Sequence, residues 1–586
     1  MGFLKNIFAS IIGFFIGMVL IIFFFAAVIG GIAGSMGEKP EVKNNTVLEL
    51  TLTGDIPDRA TDDPLSELSV SGEELSPVGL NAILFGLDKA AKDDKIKGVY
   101  LRTDLYAGSM GTAEEIRQKI LEFRKTGKFV IAYAELFSDA GYYIASACNK
   151  IYLNPKGILE FNGYAGQTAL YKGMLDKLGL EFEVFKAGKY KSAVEPFIQN
   201  KMSDANREQV RDYVFSLFGY CMKNIAASRN MDSATVADIA NNFRARNANL
   251  ALQYKLVDGL KYEDQVEYEL IQLSQSKPGK KLNKYAFEEY AKGSWNTGEG
   301  DAKIAVIYAS GEINMGNNES GDGIGSTSLA ATLKKARLDS NIKAVVLRVN
   351  SPGGSSNASD IIAREIELMR KVKPVIASFG GVAASGGYYI ACLADSIFAQ
   401  PTTITGSIGV FAMIPNTSKM YKEKLGLSYE TVLTGDYAVT WRPDEPLSQG
   451  MRSYFQGMVN DIYEDFTGIV AKGRHMDTGR VKQLAEGHVY TGIYAKNLNL
   501  TDAYGGLQRA ISSAAAKAKL KKYRIVSMPK QKSTLELLFG KAGTAEATDQ
   551  WIKKEMGMLH LPYAEMKRVM NSRGVYMRMP FDIQIH

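Results

Sequence analysis

The stretch VAASGGYYIA, residues 382–391, sets Ser385 behind two alanines and follows it with Gly386 and Gly387. A serine kept for packing needs no bare backbone beside it. A serine that attacks a carbonyl does, because substrate atoms must come close. The loop departs from the G-x-S-x-G elbow of the α/β-hydrolases, since Ala383 stands where that motif has glycine. Upstream, NSPGG (350–354) joins a stiffening proline to Gly353 and Gly354. Two unshielded amides aimed at one point can hold the oxyanion of an acyl-transfer intermediate. A plain turn from strand to helix would read the same way. Ser385 also precedes an apolar, helix-like run, which puts it near a helix N-terminus, where free N–H groups favour negative charge.

Such a serine needs a proton acceptor. The four histidines, His475, His488, His560 and His586, lie outside the glycine-rich loops and form no metal motif. A Ser-His-Asp set stays open, but nothing in the spacing favours it. A lysine can serve when burial lowers its pKa from about 10.4 toward neutrality. An internal repeat singles one out. GYYIA at 141–145 returns at 387–391, an offset of 387 − 141 = 246. IKGVYLR (96–102) and IYLNP (151–155) match IKAVVLR (342–348) and IFAQP (397–401) at that offset, and DKLGL (176–180) matches EKLGL (423–427) at 247. Ser385 then corresponds to Asp139, NSPGG to DLYAG (104–108), and Lys191 of AGKYKSAVEPF to Ala438. One copy has the serine loop and the other a lysine loop that its twin lacks. Duplicated units that have divided one active site would look like this. The plainer alternative for Lys191 is an exposed side chain paired with Glu195.

The elements that must position these residues can be read from periodicity. KIAVIYASGEI, KAVVLRVN and KPVIASF read as buried parallel strands, and SLAATLKKARLDS and SDIIAREIELMRKV as amphipathic helices. Strand–helix–strand order implies parallel sheets with right-handed crossovers and chemistry just past the strand ends. Tyr388, Tyr389 and Ile390 read as core. The repeat divides the chain into copies at 47–270 and 303–510, a polar linker at 271–302 and an extension at 511–586. The 586 residues exceed one ordinary core, which agrees with this division. From Ile7 to Ala33 the sequence carries no charge, long enough for an uncleaved membrane anchor of about 20 residues. Basic residues are nearly balanced around it and hardly orient it. A net charge of +7, with lysines scattered among acids, argues against a nucleic-acid partner. Cys148, Cys221 and Cys392 show neither a disulfide framework nor a zinc spacing. GSWNTGE (293–299) has glutamate where a nucleotide-binding loop needs lysine.

Taken in order, YKSAVEPF, NSPGG, AASGGYYIA, TGSIGVF (405–411) and EGHVYTGIYAKNLNLTD (486–502) closely resemble the signal peptide peptidase A family in its long, anchored, tandem form. His488 stands where members often carry arginine. The resemblance implies an α/β fold of two tandem Clp-protease/crotonase-like units with an N-terminal transmembrane helix. It implies a serine–lysine dyad without metal or cofactor: Ser385 as nucleophile, Lys191 as general base, Ser407 orienting the lysine, and the amides of Gly354 and Gly386 as oxyanion donors. It also implies signal peptides and other apolar peptides as substrates, membrane lipid as surroundings, a homotetramer, and a cytoplasmic (inner) membrane location with the catalytic body on the periplasmic side. A crotonase-like acyl-CoA enzyme and a non-catalytic membrane scaffold are the rival readings. Both would be indifferent to loss of Ser385.

Overall fold

The computed structural model describes residues 13–20, 23, 41–59, 78–275, 281–296, 298–317, 323–440, 442, 444–529 and 575–579. Of the expected anchor over 7–33, residues 13–20 are helical, with Phe14, Phe15 and Leu20 more than half exposed, and most of the rest lies outside the described residues. Among the described residues no helix is long and apolar enough to cross a membrane.

The two copies fold as two mainly parallel sheets. In the first, Ile96–Arg102 lies between Thr46–Thr51 and Phe129–Phe137, and Lys150–Leu159 follows. In the second, Ile342–Ser351 lies between Lys303–Ser310 and Val375–Ala384, which also pairs Ser396–Ala399. Three strands of the second sheet begin 246 residues after their counterparts (342 − 96, 375 − 129, 396 − 150). Helix Ser356–Arg370 buries Ile362, Ala363, Ile366 and Met369, a stripe at helical spacing, and is capped by Ser355. Two short strands come from segments read as linker and extension. Lys284–Ala286 pairs with Thr46–Thr51, and Arg524–Met528 pairs with Lys303–Ser310.

A third sheet crosses between the copies. Glu181–Ala187 of the first runs antiparallel to Val410–Asn416 of the second, from Glu181↔Asn416 to Ala187↔Val410. Seven residues of ladder thereby fix the chain that leads to Lys191 beside the chain that leaves Ser407.

A buried ion triad ties the copies together a second time. The Arg348 guanidinium, with no solvent exposure, donates to Asp58 Oδ1 from Nε (2.9 Å) and Nη2 (2.7 Å), and Nη2 lies 3.1 Å from Glu115 Oε2. Glu115 also accepts the Leu507 N–H. Removing one member strands the others, uncompensated, in low dielectric. Arg348→Leu is expected to lower unfolding free energy by about 3–5 kcal/mol. Denaturant melts measure this, and a loss below about 1 kcal/mol would mean that the triad is not a structural tie.

Candidate active site

Strand Val375–Ala384 delivers Ser385 to the head of the short helix Gly386–Tyr389. Ser385 has φ 55° and ψ −118°, a conformation that a side chain rarely adopts and that costs of order 1–3 kcal/mol. It is held there by its N–H, which donates to the Gly406 carbonyl (2.8 Å), and by its carbonyl, which accepts the Tyr389 N–H (2.8 Å). Tyr388 donates its hydroxyl to the Leu500 carbonyl (2.8 Å) and Tyr389 to Asp360 (3.0 Å), so both pin the helix within the core.

Lys191 follows strand Glu181–Ala187 and is fully buried. Its Nζ lies 2.8 Å from Ser385 Oγ, 3.0 Å from Ser407 Oγ and 3.0 Å from the Ser407 carbonyl oxygen. Burial holds the amine well below the usual lysine range, since removing it from water penalises the ammonium form. The plainer alternative for Lys191, exposed and paired with Glu195, is overturned. Glu195 is itself buried and accepts from Ser203 Oγ (2.5 Å), the N-cap of the next helix, and from Asn206 Nδ2 (3.0 Å).

A turn from the second copy clamps the lysine loop. Glu486 accepts the Tyr190 N–H at its carbonyl (2.7 Å) and the Lys189 N–H at its carboxylate (2.8 Å). Gly487 has φ +75°, and a Cβ there would fall 2.6 Å from Lys191 N. Gln209 adds a bridge, donating to the Tyr190 carbonyl (3.0 Å) and accepting the Val489 N–H (3.3 Å). None of these three was singled out in the sequence for positioning. A glycine ahead of a strand in EGHVYTG was the available signal.

Ser407 also has positive φ, 51°, and its N–H donates to the His488 carbonyl (2.6 Å). The His488 ring lies between Tyr190 and Tyr490, with centroids 4.6 and 4.5 Å away, and burial lowers its pKa. Its contribution to the site comes through its backbone. His475 caps helix Gln449–Arg474 in the left-handed conformation, and His560 and His586 lie outside the described residues.

The glycine pair follows strand Ile342–Ser351 and runs past the serine loop. Gly353, with φ +102°, comes close to the serine loop: a Cβ on it would fall 2.7 Å from Gly386 N. Both glycines belong to the short strand Gly353–Ser355: Gly353 is in register with Arg578, and Gly354 with Met577 on one side and Ile313 on the other. In the first copy the position equivalent to Ser385 holds Asp139, buried and pushed up to about 8 by its burial and by the nearby Glu160. Burial favours its uncharged form, and no glycine pair accompanies it. Among the described residues no cluster of three or more His, Cys, Asp or Glu could hold a metal.

The profile of "Peptidase family S49" matches residues 122–277 and 367–521, one segment in each copy. "Protease 4" of Salmonella typhi is 34% identical over 545 residues, spanning 89% of this chain and 87% of that protein. "Serine protease SPPA, chloroplastic" of Arabidopsis thaliana is 32% identical over 523 residues, spanning 87% and 76%. A solved ClpP1 mutant from Listeria monocytogenes superposes on 35% of this chain and 94% of its own at 15% identity, with a TM-score of 0.24, too low to carry weight.

Proposed function

The chain belongs to peptidase family S49 as two tandem units and is a serine protease, and from that premise we propose that it cleaves peptide bonds through an acyl-enzyme on Ser385, with Lys191 as the base. One observation supports this above all: a fully buried lysine amine 2.8 Å from the serine oxygen. In its neutral form Lys191 takes the Ser385 proton as the oxygen attacks the scissile carbonyl. It then gives the proton to the leaving amine and later activates water. Ser407 holds the amine in line through its hydroxyl and carbonyl. The oxyanion is received by the amides of Gly386 and Gly354, while the Gly353 N–H donates to Ser351 Oγ (3.2 Å). Losing one such donor typically costs about a hundred- to thousand-fold in kcat.

The pH dependence follows with a fixed sign. Below the lowered pKa of Lys191 the amine carries a proton and accepts none; above it the amine is free. The rate of acylation is therefore expected to rise with pH and level off well below the ordinary lysine pKa of about 10.4. A pH–rate profile on a fluorogenic peptide, with a fluorophosphonate labelling Ser385 in parallel, tests both parts. Activity that still climbs up to the ordinary lysine range, or labelling at another residue, would refute the dyad.

The substrate proposed is the remnant signal peptide and other apolar peptides, met at the outer face of the cytoplasmic membrane. The uncharged run 7–33 supports a single-pass anchor, and a relative 38% identical over 216 residues is named "Putative signal peptide peptidase SppA". Tethering a protease where apolar peptides reside raises their effective concentration. A homotetramer is proposed from the family resemblance. Light scattering of the detergent-purified protein tests it, and a fully active monomer would count against it.

A further inference from the structure

The catalytic cleft has a counterpart in the first copy, which kept its cavity and lost its nucleophile. A cavity of about 780 Å³ opens beside helix Asp139–Ala145, whose first residue corresponds to Ser385 (385 − 139 = 246). Its wall includes Gly108, the counterpart of Gly354 (354 − 108 = 246). The second copy contributes Val382 and Ile404. Val382 stands three residues before Ser385 on an extended strand that rises about 3.3 Å per residue, so this wall lies roughly 10 Å from the nucleophile.

The cavity is acidic. Asp55, Asp139 and Glu160 line it, and no lysine or arginine does. Asp139 is 5% exposed, and neither of its carboxyl oxygens has a hydrogen-bond partner. The Asn162 N–H favours its charged form without closing to hydrogen-bond geometry, and burial together with Glu160 outweighs it. Burial raises Asp55 as well. The Tyr164 phenol and the Cys221 thiol also lie near Asp139, and burial keeps both protonated. A buried carboxyl without a donor is costly, and such a group in a native fold calls for a partner. Among the described residues no three acids converge tightly enough to hold a metal ion. An ammonium or guanidinium on an aliphatic stem suits the space, since Leu136 and Leu217 give that stem apolar walls to lie against.

We infer that this cavity is a second subsite for the substrate peptide, taking a basic residue on the carboxyls of Asp139, Asp55 and Glu160 while the apolar part of the same peptide runs to Ser385. This rests on the reading of Ser385 as the nucleophile and extends it to substrate choice. A signal peptide sets a basic segment before an apolar run of about 7–15 residues. The first copy would then read the basic segment and the second would cut the apolar one. The bound cation favours the ionised carboxyl and so competes with the Asp139 proton. Affinity for a basic peptide is expected to rise with pH up to about 8, where Asp139 ionises in the free protein, and to level off above it.

The test uses the full chain carrying Ser385→Ala, which stops turnover and leaves binding measurable by calorimetry. The peptide KKALALA-amide is compared with QQALALA-amide. The lysine peptide is expected to bind about tenfold tighter or more. Adding Asp139→Asn should bring the ratio near one and remove the rise with pH. Glu160→Gln, at an exposed position, should lower the ratio too, and it decides if the first variant fails to fold. On the active chain, kcat/KM for fluorogenic forms of the two peptides should stand in the same ratio. Equal binding of the two peptides, or a preference that neither substitution alters, would overturn the inference. Fluorophosphonate labelling of the parent chain separates the two readings: labelling elsewhere than Ser385 strikes the nucleophile assignment, and normal labelling without a lysine preference strikes this inference alone.

Discussion

Lys191→Met is expected to lower kcat by about 10⁴-fold or more, while the protein folds at least as stably as before. The two signs differ for one reason. The amine is fully buried, and burial is what depresses its pKa. Keeping a polar nitrogen in that setting costs stability, and an unbranched thioether of similar length removes the cost. The same change removes the group proposed to accept the serine proton. Lys191→Arg separates charge from proton acceptance: a guanidinium stays protonated at any working pH, so activity should be equally absent. Stability should fall, because a permanent charge replaces an amine whose uncharged form burial favours. Ser385→Ala should match Lys191→Met in activity, and the double variant should be no worse than either, as expected of groups that act as a unit. Turnover on a fluorogenic peptide and a denaturant melt suffice. Lys191→Met retaining even a tenth of the activity would remove the lysine from the mechanism.

Gly487→Val is expected to lower kcat by about a hundredfold with little change in KM, although residue 487 makes no proposed contact with substrate. A Cβ at 487 would fall 2.6 Å from Lys191 N and 2.8 Å from its Cα and Cβ, and φ there is +75°. A β-branched side chain strains that backbone and pushes the lysine loop from its place. A misplacement of about 1 Å in a proton-transfer pair can cost about 10² in rate. A change in global stability alone would reduce the amount of active protein without altering kcat per labelled serine. Active-site titration with a fluorophosphonate therefore separates the two. A kcat within about threefold of the parent would show that this turn does not set the lysine.

Local patterns in the sequence were enough to identify the repeat, the parallel strands and the serine loop. Strand Val375–Ala384 and helix Ser356–Arg370 stand close to where their apolar periodicity placed them. Lys191 was found only because its twin position holds Ala438, a contrast between copies rather than a local feature. The clamp by Glu486, Gly487 and Gln209 lay beyond such reasoning. Each depends on a partner in a remote segment, as when Glu486 meets Lys189 across 297 residues of chain. Strand Val575–Arg578 was unreadable for the same reason, since it forms by pairing with the remote Gly353–Ser355 and Val410–Asn416 and four residues are too short a run to establish a period.

By itself the chain determined which chemical groups were present: a hydroxyl before two glycines, an amine in one copy without a twin, and no histidine placed to compete. Folding decided their proximity and their protonation. Ser385 and Lys191 stand 194 residues apart and meet because Glu181–Ala187 pairs with Val410–Asn416 and the turn at Glu486 holds the lysine loop. A lysine's proton affinity is a property of the solvent it has lost, and no residue type records that loss until the chain has closed around it.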